Sequence, residues 1–207
     1  FQYDITDGML DLQGVPSWVG QSLADCEAFI KTWGLRSFLR ECQHQVNQAE
    51  FGLFQSEFID AYRVTQMPTL DEIVVGVDPS AAKGGKGDAC GIVVCGRAAG
   101  EPRGDPPNTQ HLYILEDATI NGSPDVWAKA AVTVYHKYKA NRIIAESNQG
   151  GEMVRLTLRQ VDPNVVVELV NAIQGKEARA EEITPIYEQG RAHHVGTFAL
   201  LEEEMTG

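Results

Sequence analysis

The feature that most constrains the fold is a short apolar run in the middle of the chain, Ile73 to Val77. The run is continuous rather than alternating and is rich in β-branched residues. This pattern is typical of a central strand that is buried on both faces. Asp78 follows it directly. We therefore predict a buried strand that ends at an acidic residue.

The chain after this strand predicts an alternation of strands and helices. Two more strands follow without an intervening helix, and Ser123-Pro124 has the N-cap and first-turn pattern of a helix start. The order βββαβαβα is not an uninterrupted βαβ series, so we predict a mixed five-stranded sheet flanked by helices. The predicted elements are strands at 89–95, 111–118, 142–145 and 165–170, and helices at about 124–138, 153–161 and 177–189.

Residues 1–70 have a different character, because their apolar residues recur at helical spacing and no strand pattern competes with it. Pro68 interrupts this region just before the character changes at Ile73. With 207 residues and 43% hydrophobic content, the chain can form one substantial core plus an appendage. We predict a mainly helical segment over 1–70 and an α/β domain over 71–207.

Composition limits the classes of function. A net charge of −12 argues against binding nucleic acid through overall charge, so any such role requires a local site. No apolar stretch approaches the length of a membrane span, and the start at Phe1 lacks a signal-peptide pattern. We expect a soluble intracellular protein, incomplete at both ends, whose four cysteines form no CxxC pair and are reduced.

Two acidic residues, Asp78 and Glu146, follow predicted strands directly. A helical crossover makes the second of these strands parallel to the first, and neighbouring strands lie about 4.8 Å apart. The two carboxylates would then meet at one edge of the sheet, where they could bind a hard divalent ion together with water and phosphate oxygens. The alternative interpretation is that Asp78 caps a turn and Glu146 is solvated.

Two other patterns are tempting but predict no site. His193 and His194 would point to opposite faces of a strand, and no Cys or His partner stands at the spacing of a zinc ligand. The glycine-rich segment 84–87 lacks the Ser or Thr that must follow Gly-Lys in a phosphate-binding loop.

Several short segments occur in a fixed order along the chain. They are Val77-Asp78-Pro79-Ser80, Gly84 to Val94, Ala145-Glu146-Ser147-Asn148-Gln149-Gly150-Gly151, Lys176 with Arg179, Tyr187 to Gly196, and Leu200 to Met205. Together these segments resemble the nuclease domain of viral terminase large subunits. Residues 34–43 also resemble the tail of the ATPase region that precedes this nuclease.

The resemblance implies a ribonuclease-H-like fold and a metal-dependent DNA endonuclease. Asp78 and Glu146 would be metal ligands, and Asp88 matches a further acidic position near the metals. The cofactor would be Mg²⁺ or Mn²⁺ at a two-metal site, with ions about 3.5–4 Å apart acting on the attacking water and the leaving oxygen. The family's third metal-binding Asp is expected beyond residue 207, and its loss would weaken one metal site.

The resemblance also implies partners. Four basic residues would contact the DNA backbone: Lys83, Lys86, Lys176 and Arg179. The parent protein would package double-stranded viral DNA in the host cell cytoplasm, with the portal protein and the terminase small subunit. The nuclease would cut concatemeric DNA when packaging begins and ends.

Three alternatives stay open. The chain could be another nuclease of the same fold, such as a junction resolvase or a transposase. It could be a non-catalytic binding or assembly module, which the acidic charge favours. An actin-like nucleotide-binding domain needs a second phosphate loop, and the sequence contains none.

Overall fold

The computed structural model describes residues 2–6, 9–16, 20–43, 54–79, 89–99, 109–147, 151–171 and 175–207. These residues form two compact units. The first comprises residues 1–64 and 175–207, and the second comprises residues 65–174. None of the described helices has the length and apolar character needed to cross a membrane.

The helices and strands, in chain order, are β1 (Gln2–Thr6), β2 (Met9–Gln13), α1 (Leu23–Trp33), α2 (Leu35–Gln43), α3 (Ser56–Ala61), β3 (Glu72–Asp78), β4 (Gly91–Ala99), β5 (Gln110–Asp117), α4 (Pro124–Lys137), β6 (Arg142–Glu146), α5 (Gly151–Val161), β7 (Val167–Val170), α6 (Lys176–Glu188), β8 (Ala192–His194) and α7 (Ala199–Thr206).

The second unit is built on a mixed sheet whose strands lie in the order β7-β6-β3-β4-β5. β6 is parallel to β3 and to β7, whereas β4 is antiparallel to β3 and to β5. The predicted strand is therefore central, with two neighbours on each side. The predicted order βββαβαβα is confirmed from β3 to α6.

One face of this sheet packs against α4 and α5. Val75 and Ile143 are fully buried, as is Leu158 on α5. α4 begins as predicted, with Ser123 in an extended conformation at the N-cap and a proline in the first turn. Burial of these apolar side chains holds the helices on the sheet and fixes the register of β3 and β6.

The first unit contains α1, α2, α3, α6 and α7. α1 starts with a capping box between Ser22 and Asp25, and its buried residues Cys26 and Ile30 pack with Phe38 of α2. This part of the prediction for residues 1–70, a mainly helical segment, agrees with the structure.

The expectation that no strand occurs in residues 1–70 is wrong, because β1 and β2 form an antiparallel pair. The sequence carries a signal for it. Asp7-Gly8, between two stretches with apolar residues, is the dipeptide that favours a tight hairpin. The prediction for residues 1–70 rested instead on the apolar residues at helical spacing farther along the segment.

The described residues after position 70 contain six strands rather than the predicted five, and β8 is the additional strand. β8 has only three residues, and all three are buried, so it shows neither alternation nor a long apolar run. Such a strand gives no periodic signal. The predicted division into domains at residue 70 stays a prediction.

Candidate active site

Asp78 and Glu146 end two neighbouring parallel strands, β3 and β6. In the register of this pair, Val77 lies opposite Ala145, so the two acidic residues follow at the same level of the sheet. Asp78 is exposed and Glu146 is half-buried. The predicted meeting of the two strand ends at one edge is therefore observed, and both residues have carboxylate oxygens that a hard cation prefers.

On the other side of Asp78, β4 starts at Gly91, which pairs with Asp78. A Cβ atom at Gly91 would lie 3.7 Å from the Cβ of Asp78, so the absence of a side chain leaves this flank open. Burial, assisted by the negative charge of Asp78, raises the pKa of the Cys90 thiol to about 12. Cys90 therefore stays a neutral thiol, and the donors at this edge are oxygens.

Ser147, the residue after Glu146, is held against β7. The backbone N–H and the hydroxyl of Ser147 both donate to the Val170 carbonyl, at 2.8 and 3.0 Å. A Cβ atom at Gly151, where α5 begins, would lie 2.5 Å from the Cβ of Ser147. A glycine is thus needed for α5 to start this close to the strand. Ser147 contacts β7 on one side and the start of α5 on the other, and these contacts fix the end of β6 where Glu146 lies.

Asp117 is a third carboxylate at the same edge, which the sequence analysis did not select. β5 runs parallel to β3 because each is antiparallel to β4, and Asp117 ends β5. Two strand spacings, about 10 Å, separate β5 from β3. Asp117 accepts the backbone N–H of Thr119 at 3.0 Å, so its visible role is to cap the turn.

The chemistry of the donors fits a hard divalent ion and not zinc. Among the described residues no three His, Cys, Asp or Glu side chains group closely enough to hold a metal, so any ion at this edge would have at most two described carboxylates, those of Asp78 and Glu146, as protein ligands. Nδ1 of His193 contacts the carbonyl of Tyr62 at 2.8 Å, and Nε2 of His194 contacts the hydroxyl of Tyr187. Both histidines therefore make internal hydrogen bonds in the first unit. Mg²⁺ keeps several waters and accepts one or two carboxylates, which agrees with such a pair.

The described part of this sheet edge contains none of the other predicted site residues. Lys83, Lys86 and Asp88 lie outside the described residues. Lys176 begins α6 with its side chain also outside the description, and Arg179, one turn later, is half-buried. Both belong to the first unit, whereas Asp78 and Glu146 belong to the second.

The sequence analysis also missed a buried polar cluster in the first unit, centred on Glu202 of α7. Glu202 accepts from Arg63 at 2.6 Å and contacts Nδ1 of His194 at 2.7 Å. Nε2 of His194 lies 3.1 Å from the Tyr187 hydroxyl. These contacts hold the pKa of Glu202 near 2 despite its burial. Because Glu202 is ionised it only accepts, so Nδ1 of the neutral His194 donates to it and Nε2 accepts from Tyr187.

Burial lowers the pKa of His194, which is fully enclosed, and the pairing with Glu202 opposes this effect only in part. The imidazole is therefore neutral at pH 7. Arg63 also donates to the Gly196 carbonyl and pairs with Asp60. The cluster ties α7 to the end of α3, and its side chains are used in these internal contacts.

Comparison with solved structures supports the same fold. The large terminase of a thermophilic bacteriophage matches with a TM-score of 0.59 at 11% identity, covering 89% of this chain and 44% of that one. The same protein in complex with ADP matches with a TM-score of 0.57 at 11% identity, covering 84% and 41%. The chain thus spans about two-fifths of the length of these terminases. No curated protein sequence matches it.

A family model provides the assignment that these distant structural matches do not. The model described as the terminase RNaseH-like domain matches residues 75–206, which is more than half of the chain. The matched region begins in β3, includes both strand ends that carry Asp78 and Glu146, and continues to the last turn of α7. The chain therefore belongs to the terminase RNaseH-like domain family.

Proposed function

We propose that this chain is the metal-dependent DNA endonuclease domain of a viral terminase large subunit. The main support is the pair of carboxylates, Asp78 and Glu146, which lie at the same level at the ends of adjacent parallel strands. The chain that contains them belongs to this family. Both are accessible at least in part, and Gly91, the partner of Asp78 on β4, has no side chain that could cover it.

Asp78 and Glu146 would hold one divalent ion, Mg²⁺ or Mn²⁺, between them. When bound, such ions lower the pKa of water and neutralise charge on a phosphodiester, and a two-metal site acts on both the attacking and the leaving oxygen. The role of the two side chains is to fix the position of the cation and of the scissile phosphate. Asp88 is proposed as a further acidic residue of the site.

DNA binding by this chain must be local, because the net charge of −12 repels phosphate. We propose that Lys83 and Lys86, in the segment that follows Asp78, contact the DNA backbone together with Lys176 and Arg179. Such contacts position the duplex without reading its sequence.

For the parent protein, we propose packaging of double-stranded viral DNA in the host cytoplasm, with the portal protein and the terminase small subunit as partners. Family membership supports this proposal. The domain would cut concatemeric DNA at the start and at the end of packaging.

The test is cleavage of supercoiled plasmid in Mn²⁺, Mg²⁺ or EDTA by this chain and by a longer version that continues past residue 207. We expect nicking that requires the metal and falls roughly 100-fold or more in Asp78→Asn and in Glu146→Gln, because each variant removes one of two protein ligands. Asp117→Asn, which removes a carboxylate from the same sheet edge two strands away, is the matched control and should retain cleavage.

Calorimetric titration with Mn²⁺ separates binding from catalysis. Binding that is lost in Asp78→Asn but kept in Asp117→Asn supports the metal site even if only the longer version cuts DNA. If the longer version neither cuts plasmid nor binds Mn²⁺, the proposal fails, and a non-catalytic binding or assembly module becomes the better account.

A further inference from the structure

Glu188, in the last turn of α6, contacts the junction between α1 and α2. Its Oε2 accepts the backbone N–H of Leu35, the first residue of α2, at 2.6 Å. Gly34 separates the two helices, and a Cβ atom there would lie 2.8 Å from the same Oε2. The carboxylate therefore reaches the backbone only because residue 34 has no side chain.

The next residue, Gln189, contacts the other side of the same junction. Its side-chain amide donates to the carbonyl of Lys31 in the last turn of α1. The N–H of Gly34 itself bonds to the Ile30 carbonyl at 2.7 Å, and its φ of +87° lies in a region that favours glycine. Two consecutive residues at the end of α6 thus clamp the chain on both sides of a glycine hinge.

In the part of the chain that the structure describes, no cation neutralises Glu188. The cavity beside it is lined by side chains of α1, α2 and α6, and the other charged ones are Arg40 and Glu181. Arg40 pairs with Glu41 at 2.9 Å through Nε and lies 3.8 Å from Glu181 through Nη1, so its charge is shared by two other carboxylates. The Glu188 carboxylate is instead met by the N–H of Leu35.

We propose that Glu188 is a proton-dependent latch, which takes up a proton when the α1–α2 junction docks on α6 and releases it when the junction opens. The proposal is independent of DNA cleavage and goes beyond it. Leu35 precedes the region that matches the terminase family, whereas Glu188 lies within that region. The latch would therefore control how firmly the preceding helices hold to the domain.

The direction of the effect follows from the free energy of ionisation. Burial raises the pKa of docked Glu188 to about 7, and the N–H of Leu35 offsets this rise only in part. Once the junction opens, the carboxyl returns to its ordinary pKa of 4.5. Docking is therefore most stable below that ordinary pKa, weakens as the pH rises towards the docked pKa, and changes little above it.

The test is amide hydrogen exchange by NMR, expressed as protection factors so that the intrinsic pH dependence is removed. We expect the protection of Leu35 and the following amides of α2 to fall on the order of 50-fold between about pH 5 and pH 7.5. Glu188→Gln keeps an oxygen acceptor for Leu35 without a charge, so its protection should be independent of pH. Glu181→Gln, the neighbouring carboxylate, should behave as the wild-type protein.

Carbon-13 titration of the Glu188 carboxyl in the whole chain provides a second measurement that does not depend on the variants. A midpoint near 7 supports the latch, and a midpoint near 4.5 overturns it. Constant wild-type protection across the same pH range, or an equal fall in Glu188→Gln, overturns it as well. Neither readout involves DNA or a metal, so failure here leaves the nuclease proposal untouched.

Discussion

At the scale of single residues, the clearest prediction about stability concerns Glu202. Its side chain is 15% exposed, and its pKa is lowered from 4.5 to about 2. A lowered pKa means that the stabilisation is complete above the ordinary pKa and is lost as the pH falls towards the folded one. The shift corresponds to about 3 kcal/mol at neutral pH. We therefore expect Glu202→Gln to lower the free energy of unfolding by about that amount in urea denaturation.

The pH dependence of this loss distinguishes an ionic role from simple packing. At about pH 3 the difference between Glu202→Gln and wild type should shrink to roughly half its value at pH 7. Glu203, the next residue on α7, is exposed, and Glu203→Gln should change stability by less than about 0.5 kcal/mol. Equal losses for the two variants, or a loss that is the same at both pH values, would contradict the interpretation.

The sequence predicts some residues of the molecule and not others for a physical reason. Asp78 and Glu146 could be selected because each follows an apolar strand, and the direction of a crossover then brings the strand ends together. Glu202 pairs with Arg63, 139 positions away in the chain, and with His194. Such a cluster depends on tertiary packing and leaves no fixed spacing in the sequence.

At the scale of elements, α6 and β8 are each followed by a glycine, and the two glycines differ in their surroundings. Gly190 has a φ of +68°, and a Cβ atom there would lie 2.5 Å from the ring of the buried Tyr62. Gly196 has a φ of +98°, with nothing within 4 Å of its Cβ position. Gly196→Ala should cost about 1–2 kcal/mol from backbone strain alone.

Gly190→Ala adds steric overlap to that strain. We expect a further loss of roughly 1–3 kcal/mol, because Tyr62 must shift within a packed core. Thermal unfolding of the two variants measures the difference directly. Equal melting temperatures would show that the Tyr62 ring moves without cost and that only the backbone conformation matters.

α5 offers a matched pair of leucines that tests how the helix packs on the sheet. Leu158 is fully buried, whereas Leu156 is 59% exposed two residues earlier on the same helix. Leu158→Ala should cost about 2–5 kcal/mol because it leaves a cavity. Leu156→Ala should stay within about 0.5 kcal/mol of wild type. The free energy of unfolding of both variants can be measured by urea denaturation. Similar losses for Leu158→Ala and Leu156→Ala would contradict the packing of α5 through Leu158.

The order of helices and strands could be predicted where long segments have a periodic pattern of apolar residues. This explains why the elements from β3 to α6 were predicted and why β1, β2 and β8 were missed. From β3 to α6 the apolar runs of the strands and the helical spacing of the segments between them give the order βββαβαβα. β8 has three residues, and the β1–β2 pair depends on one turn dipeptide. Short elements depend on tertiary contacts, which local patterns do not contain.

At the scale of the whole molecule, the net charge of −12 determines how DNA binding should respond to divalent ions. Without a metal, repulsion between the acidic chain and the phosphates should leave affinity for a duplex no stronger than the micromolar range that is usual for non-specific binding, roughly 10⁻⁴–10⁻⁶ M. In the proposed metal site, Ca²⁺, which prefers the same oxygen ligands as Mg²⁺, would neutralise the carboxylates of Asp78 and Glu146 and link them to a phosphate.

We therefore expect Ca²⁺ to tighten binding roughly tenfold or more over EDTA in fluorescence anisotropy of a labelled duplex at fixed ionic strength. Asp78→Asn should lose this gain because it removes one of the two proposed ligands, whereas Asp117→Asn should retain it. A gain that persists in Asp78→Asn would mean that the ions act by screening the overall charge and not at the strand ends. Tight binding in EDTA would show instead that the basic side chains overcome the net charge without a metal.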